Sequence, residues 1–166
     1  MENFKKYLTE AVDGATWKGY LGWQVPTDKV NLDGVEQKYI DNRITRDGGD
    51  SFHITIITPP EVRAIIKDLK EKEGLSGGQA KKAAKQKLMA DAANLSSTYK
   101  IGDTKSAEGP GDGAVGIKGA DSIAFFKAMD WNEAQELRRT YGLEPKDFHI
   151  TLGIGDNGDV HGVDKK

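Results

Sequence analysis

The chain uses one short word twice. Ser51-Phe52-His53-Ile54-Thr55-Ile56 and Asp147-Phe148-His149-Ile150-Thr151-Leu152 share Phe-His-Ile-Thr, and the two copies hold two of the chain's three histidines. Isoleucine and threonine are β-branched and phenylalanine is aromatic, a composition that favours a strand. In a strand, residues i and i+2 project to the same face. His53 and Thr55 therefore point together, as do His149 and Thr151, while Phe52, Ile54, Ile56 and Phe148, Ile150, Leu152 face a core. Two strands would each offer one imidazole and one hydroxyl to a common surface. An imidazole with an ordinary pKa of about 6.5 titrates near neutrality, so one of a facing pair can take a proton while the other supplies one. Threonine hydroxyls can donate hydrogen bonds to an oxyanion. A phosphodiester suits this set, because its non-bridging oxygens accept hydrogen bonds and its cleavage needs one proton removed and one delivered. That chemistry requires neither a metal nor a cofactor.

The paired His-x-Thr words resemble the two signature motifs of the 2H phosphoesterase superfamily. The likeness is strongest in the C-terminal third, where Asp130-Trp131-Asn132-Glu133-Ala134-Gln135-Glu136-Leu137-Arg138-Arg139 and Tyr141-Gly142-Leu143-Glu144-Pro145-Lys146-Asp147-Phe148-His149-Ile150-Thr151-Leu152-Gly153 look like the end of RNA-repair-type members. Asp159-Val160-His161-Gly162-Val163 is similar to that branch as well. The N-terminal half resembles the family only around His53 and Thr55. The resemblance implies that His53 and His149 are the catalytic pair and that Thr55 and Thr151 hold the phosphate. It also implies a bilobal, pseudo-twofold α+β fold. Members of the superfamily act on cyclic nucleotides, RNA ends and defence oligonucleotides, so the expected partner is a nucleotide, a cyclic oligonucleotide or an RNA end.

The chain has 166 residues, 30% of them charged, with a net charge of −2. Its pI is about 5.9 and its mean hydropathy −0.60. This is enough chain for one domain with a core. The charge balance argues against tight binding to long duplex nucleic acid, which needs a broad cationic surface. No apolar run approaches the roughly 20 residues that span a membrane, and no apolar stretch follows Lys5 and Lys6 as a signal peptide would require. The chain contains no cysteine, which removes disulfides and thiol catalysis and is compatible with a cytoplasmic setting.

Other elements must position the two words. Residues 1–12 form an amphipathic segment in which Phe4, Tyr7, Leu8, Ala11 and Val12 recur at helical spacing. Met1–Ala11 also resembles the capsid-targeting leaders of phage internal head proteins, cut after a glutamate as in Leu8-Thr9-Glu10. In that case the protein is viral, acts in the host cytoplasm and could be packaged in the virion; with or without a leader, the domain proper is expected at 13–166. Residues 16–25 read as one strand whose Tyr20 and Trp23 could stack a base, although strand aromatics more often fill a core. Residues 26–50 read mainly as loop with a short element at 35–45, from which Arg43 and Arg46 could reach a phosphate.

Pro59-Pro60 ends the first motif strand. A helix is predicted over 60–72, and a second over 79–94 behind a Ser76-x-x-Gln79 capping box. Lys81, Lys82, Lys85 and Lys87 on the second helix read as a solvated face. Strands are expected at 97–107, 115–118 and 122–130, with a glycine-rich connection at 108–114 that lacks phosphate-loop spacing. Asn132 is expected to cap a helix over 133–142, and the second motif strand runs 147–154. His161, in a polar tail, is a further candidate for the rim of the site. The order predicts helices packed outside a concave, mainly antiparallel sheet with the motif strands near its middle. An insertion is expected at 73–95.

Two other function classes fit parts of this pattern. A catalytically silent module could sequester a nucleotide in the same cleft, but it need not keep two complete His-x-Thr words. A metalloenzyme could draw ligands from the histidines and aspartates, but the chain has neither His-x-His nor His-Glu-x-x-His spacing.

Overall fold

The computed structural model describes residues 13–161 and Lys165; the amphipathic segment at 1–12, and with it the leader expected there, lies outside the described residues. Two three-stranded antiparallel sheets carry the fold. The first has the order β1 (Gly14–Trp17), β2 (Leu21–Val25), β3 (Phe52–Ile57), and the second β4 (Lys100–Pro110), β5 (Asp121–Asp130), β6 (Phe148–Ile154). Among the described residues, four α-helices accompany them: α1 (Gln37–Asp47), α2 (Pro59–Glu73), α3 (Gly77–Ala92) and α4 (Asn132–Thr140). The fold is therefore the expected α+β class. The motif strands β3 and β6 are each the last strand of their own sheet; they lie against one another but share no ladder. The single concave sheet expected is thus two sheets meeting at the motif strands.

The two helices predicted after β3 form for the reasons read from the sequence. The Thr58 hydroxyl oxygen accepts a hydrogen bond from the Glu61 N–H and the Glu61 carboxylate accepts one from the Thr58 N–H; Ser76 and Gln79 repeat the arrangement. Each reciprocal pair satisfies donors that a helix start leaves open. α3 buries Ala80, Ala84, Leu88 and Ala92, a narrow small-residue stripe that lets it lie close against α2 and β1.

Elsewhere the structure differs from the prediction. Residues 16–25 are not one strand: Gly19 adopts φ 76° and turns the chain between β1 and β2, a conformation that costs glycine little. The short element expected at 35–45 is the helix α1, which runs on to Asp47. It lacks a hydrophobic stripe because its buried residues are only Ile40 and Arg43. Asn132 does not cap α4 but is its first residue, and Trp131 takes the N-cap position without a side-chain hydrogen bond to the helix start. β4 extends to Pro110, and the strand expected at 115–118 is loop. That loop lies flat against the tail: Asp112 N–H donates to the Asp159 carbonyl at 2.9 Å, and Gly113 N–H to the Asn157 carbonyl at 3.0 Å. A Cβ on Gly111 would stand 2.0 Å from the Asn157 carbonyl oxygen, so the glycines there serve backbone packing. The tail is not simply solvated, since Asp159 and Val160 are buried.

One apolar cluster spans both sheets. It joins Phe52, Ile54 and Ile56 of β3 to Phe148, Ile150 and Leu152 of β6, with Trp23, Tyr99 and Trp131 between the lobes. Among the described residues, no helix is long and apolar enough to cross a membrane.

Candidate active site

The alternation read from the two words is present in the strands. In β3, Phe52, Ile54 and Ile56 are buried while His53 and Thr55 are half-buried; in β6, Phe148, Ile150 and Leu152 are buried while His149 and Thr151 are half-buried. The adjacency of β3 and β6 brings the four side chains to one cleft of about 1020 Å³, whose wall includes His53, Thr55, His149 and Thr151. Tyr20, in the turn before β2, and His161, in the tail, also line it. Gly153 continues β6 beneath α1, where an added Cβ would lie 3.0 Å from Tyr39 Cβ and Val35 Cγ1.

Two of the sequence-derived binding candidates are elsewhere. Trp23 is 4% exposed, packs edge-on against Trp131 at 4.9 Å and donates its indole N–H to Asp13. No face of the ring is open to a base. Arg43 is 1% exposed, and its guanidinium donates to the carbonyls of Leu152, Ser51 and Asp50 and pairs with Asp47. Four of its five N–H groups are engaged there, and it does not line the cleft. Arg46 does line the cleft, but it is held by Asp47 at 2.8 Å and by Asp159 at 2.9 Å. His161 is paired with Asp112 at 3.0 Å and is mostly exposed.

Three groups that residue type and spacing do not single out complete the wall: Lys146, Asp159 and Lys165. Asp159 accepts from Arg46 and, at 3.1 Å, from Lys165. Burial pushes its carboxyl up, but the two cations hold it below the ordinary carboxylate range. Lys146 precedes β6, where both its backbone groups bond the Gln135 side-chain amide: its carbonyl accepts at 2.6 Å and its N–H donates at 3.1 Å. Among the described residues, its ammonium forms no ion pair. Its pKa is pushed down, first by burial and then by Arg138 nearby. The only signal in the sequence is its place three residues before His149. The wall carries Arg46, Lys146 and Lys165 against Asp47, Asp147 and Asp159, a balance suited to a small anion rather than a long polyanion.

Both imidazoles are pushed below the ordinary histidine value, chiefly by burial. Their surroundings differ beyond that. Around His149 the next influence is Lys165, which also disfavours the imidazolium; around His53 it is Asp47, which favours it. His149 Nδ1 lies 3.2 Å from the Asp147 carbonyl. A carbonyl only accepts, so Nδ1 carries the hydrogen and Nε2 is left as the exchangeable nitrogen. Among the described residues, no three or more His, Asp or Glu side chains are grouped to hold a metal ion.

A family model described as Swiss Army Knife, 2H phosphoesterase domain, matches residues 24–161. Searches of curated proteins and of solved structures find no match. The matched span contains both His-x-Thr strands and the tail as far as His161, and leaves out Tyr20 and Lys165 of the cleft wall. The chain belongs to the 2H phosphoesterases.

Proposed function

We propose that the cleft hydrolyses a phosphodiester of a short or cyclic oligonucleotide by acid–base catalysis, with His149 as base and His53 as acid. The observation that carries this reading is the delivery of two His-x-Thr faces, from two strands, to one cleft. His149 Nε2 takes a proton from water, whose oxygen attacks phosphorus. His53 gives its proton to the leaving oxygen as the P–O bond breaks. Thr55 and Thr151 donate to the non-bridging oxygens, on which charge accumulates. A cleft of about 1020 Å³ lies at the upper end of small-molecule pockets and has room for more than one nucleotide. Tyr20 on its wall offers a ring on which a base can stack.

The test is incubation in EDTA with 2′,3′-cyclic nucleotides, cyclic-phosphate-ended RNA, cyclic di- and trinucleotides and 2′–5′ oligoadenylate, read by mass beside a His53→Ala control. Cleavage of cyclic or 2′–5′ oligonucleotides assigns the protein to the destruction of such messengers. Cleavage confined to cyclic phosphate ends assigns it to RNA-end processing. Binding without turnover would replace the enzyme reading with that of a nucleotide-sequestering module.

Two further outcomes are expected. Lys146→Ala raises KM about tenfold with a smaller change in kcat, because an ammonium at the wall without an ion-pair partner among the described residues attracts the substrate's charge before and during reaction alike; initial rates over a substrate series measure it. The pH profile of kcat/KM peaks below pH 6.5. Turnover needs one imidazole neutral and the other protonated, so the maximum lies between two pKa values that are both lowered. As pH rises past them the acid loses its proton and the rate falls. A maximum above pH 7.5 would show that the imidazoles are not held in the neutral direction.

A further inference from the structure

The two buried arginines of α1 and α4 make the same connection in opposite directions. Arg43 of α1, the helix that leads into β3, donates from Nε to the Leu152 carbonyl of β6 at 3.1 Å. Arg138 of α4, the helix that leads into β6, donates from Nη1 to the Ile56 carbonyl of β3 at 2.9 Å. Leu152 stands three residues after His149, and Ile56 three residues after His53.

Each guanidinium also grips the segment that feeds its own motif strand. Arg43 donates to the carbonyls of Ser51 at 3.0 Å and Asp50 at 3.2 Å. Arg138 donates to the Glu144 carbonyl at 2.9 Å and 2.6 Å. Each is matched by a carboxylate, Asp47 for Arg43 and, in a two-point pair at 2.8 Å and 2.7 Å, Glu61 for Arg138. The two side chains are 1% and 3% exposed, and neither lines the cleft.

Burying a guanidinium is costly, and a well-packed apolar side chain of similar size often stabilises a core as well or better. What an apolar side chain lacks is direction. β3 and β6 share no ladder, so main-chain hydrogen bonds between them do not set how the two histidines face each other. The apolar cluster beneath them excludes water but is indifferent to small slips, because hydrophobic burial is non-directional. A planar fork with fixed N–H vectors supplies the missing constraint.

We propose that Arg43 and Arg138 are a reciprocal pair of positioning residues that set the separation and facing of His53 and His149. This rests on the two-histidine reading above. Neither arginine touches substrate; each acts by tying the entry of its own motif strand to the opposite strand just beyond its threonine.

The test uses Arg43→Lys, Arg138→Lys and the double variant, beside His53→Ala, on the panel member that the wild type cleaves. Lysine keeps the charge but cannot span the carbonyls and the carboxylate that each guanidinium bridges. Each single variant is expected to lose about 10- to 100-fold in kcat, the cost of a displacement on the ångström scale, with KM within about twofold. The double variant is expected to lose less than the product of the singles, since either broken clasp already frees the same separation. Folding is followed by circular dichroism and thermal melting.

A folded Arg→Lys variant with wild-type kcat beside an inactive His53→Ala overturns the positioning role and leaves the two-histidine mechanism standing. A loss that only tracks the fraction folded at the assay temperature also overturns it. His53→Ala at full turnover overturns the mechanism and the positioning role together. Should the lysine variants not fold, Glu61→Gln keeps Arg138 and the helix cap while loosening the clasp. A several-fold loss of kcat at constant KM in that variant supports the proposal, and an unchanged kcat overturns it.

Discussion

Replacing His149 with alanine is expected to lower kcat about 10²- to 10⁴-fold, and His53→Ala to do the same, with KM little changed. The expectation rests on placement. Each imidazole stands on a strand whose alternate residues are locked in the core, so truncation removes a proton carrier without opening a cavity beneath it. The two losses should differ in kind. If His149 is the base, its removal abolishes the limb of the pH profile that rises with pH. If His53 is the acid, its removal abolishes the falling limb. The asymmetry behind this assignment is physical: the Asp147 carbonyl fixes the His149 tautomer, and Lys165 beside His149 favours its neutral form, whereas Asp47 beside His53 favours the charged one. The residual rates of the two variants from pH 5 to 9 measure it. Exchanged limbs would reverse the roles, and a bell unchanged in both variants would remove the histidines from the chemistry.

Thr55→Val and Thr151→Val are expected to lower kcat/KM about 10²-fold each, and the serine variants to recover most of it. Valine keeps the β-branched shape that suits a strand and removes only the hydroxyl donor. Donors fixed where charge develops on the non-bridging oxygens act without reorganising, and removing one from such a site costs about 10²- to 10³-fold. Steady-state kinetics on the four variants decide it. A valine variant at wild-type rate would show that its hydroxyl does not reach the phosphate, and a serine variant as slow as its valine counterpart would point to packing.

The four residues behind these outcomes are legible in the order of amino acids alone. The word Phe-His-Ile-Thr is a local pattern, and the period of two in a strand assigns its faces with no knowledge of the rest of the fold. The capping boxes at Thr58 and Ser76 are equally local and start α2 and α3. α1 is harder to read because helix periodicity is a hydrophobic signal, and the buried side of that helix is largely an arginine. Trp23 and Arg43 show the limit of residue type as a guide. An indole in a strand can meet a base or a core, and a guanidinium can meet a phosphate or a carbonyl; the type is the same in both cases.

By itself, then, the sequence determined the α+β class, the strand and helix character around both motifs, and the pairing of each histidine with a threonine on one face. Only the tertiary structure decided that the motif strands end two separate sheets, that Trp23 and Arg43 lie away from the cleft, and that Lys146, Asp159 and Lys165 line it. It alone showed the crossed arginines, whose bonds join residues 109 and 82 positions apart. The physical reason is one of range. Alternation and capping arise between residues a few positions apart and leave a trace in their order, whereas partners at such separations are chosen by how the lobes pack.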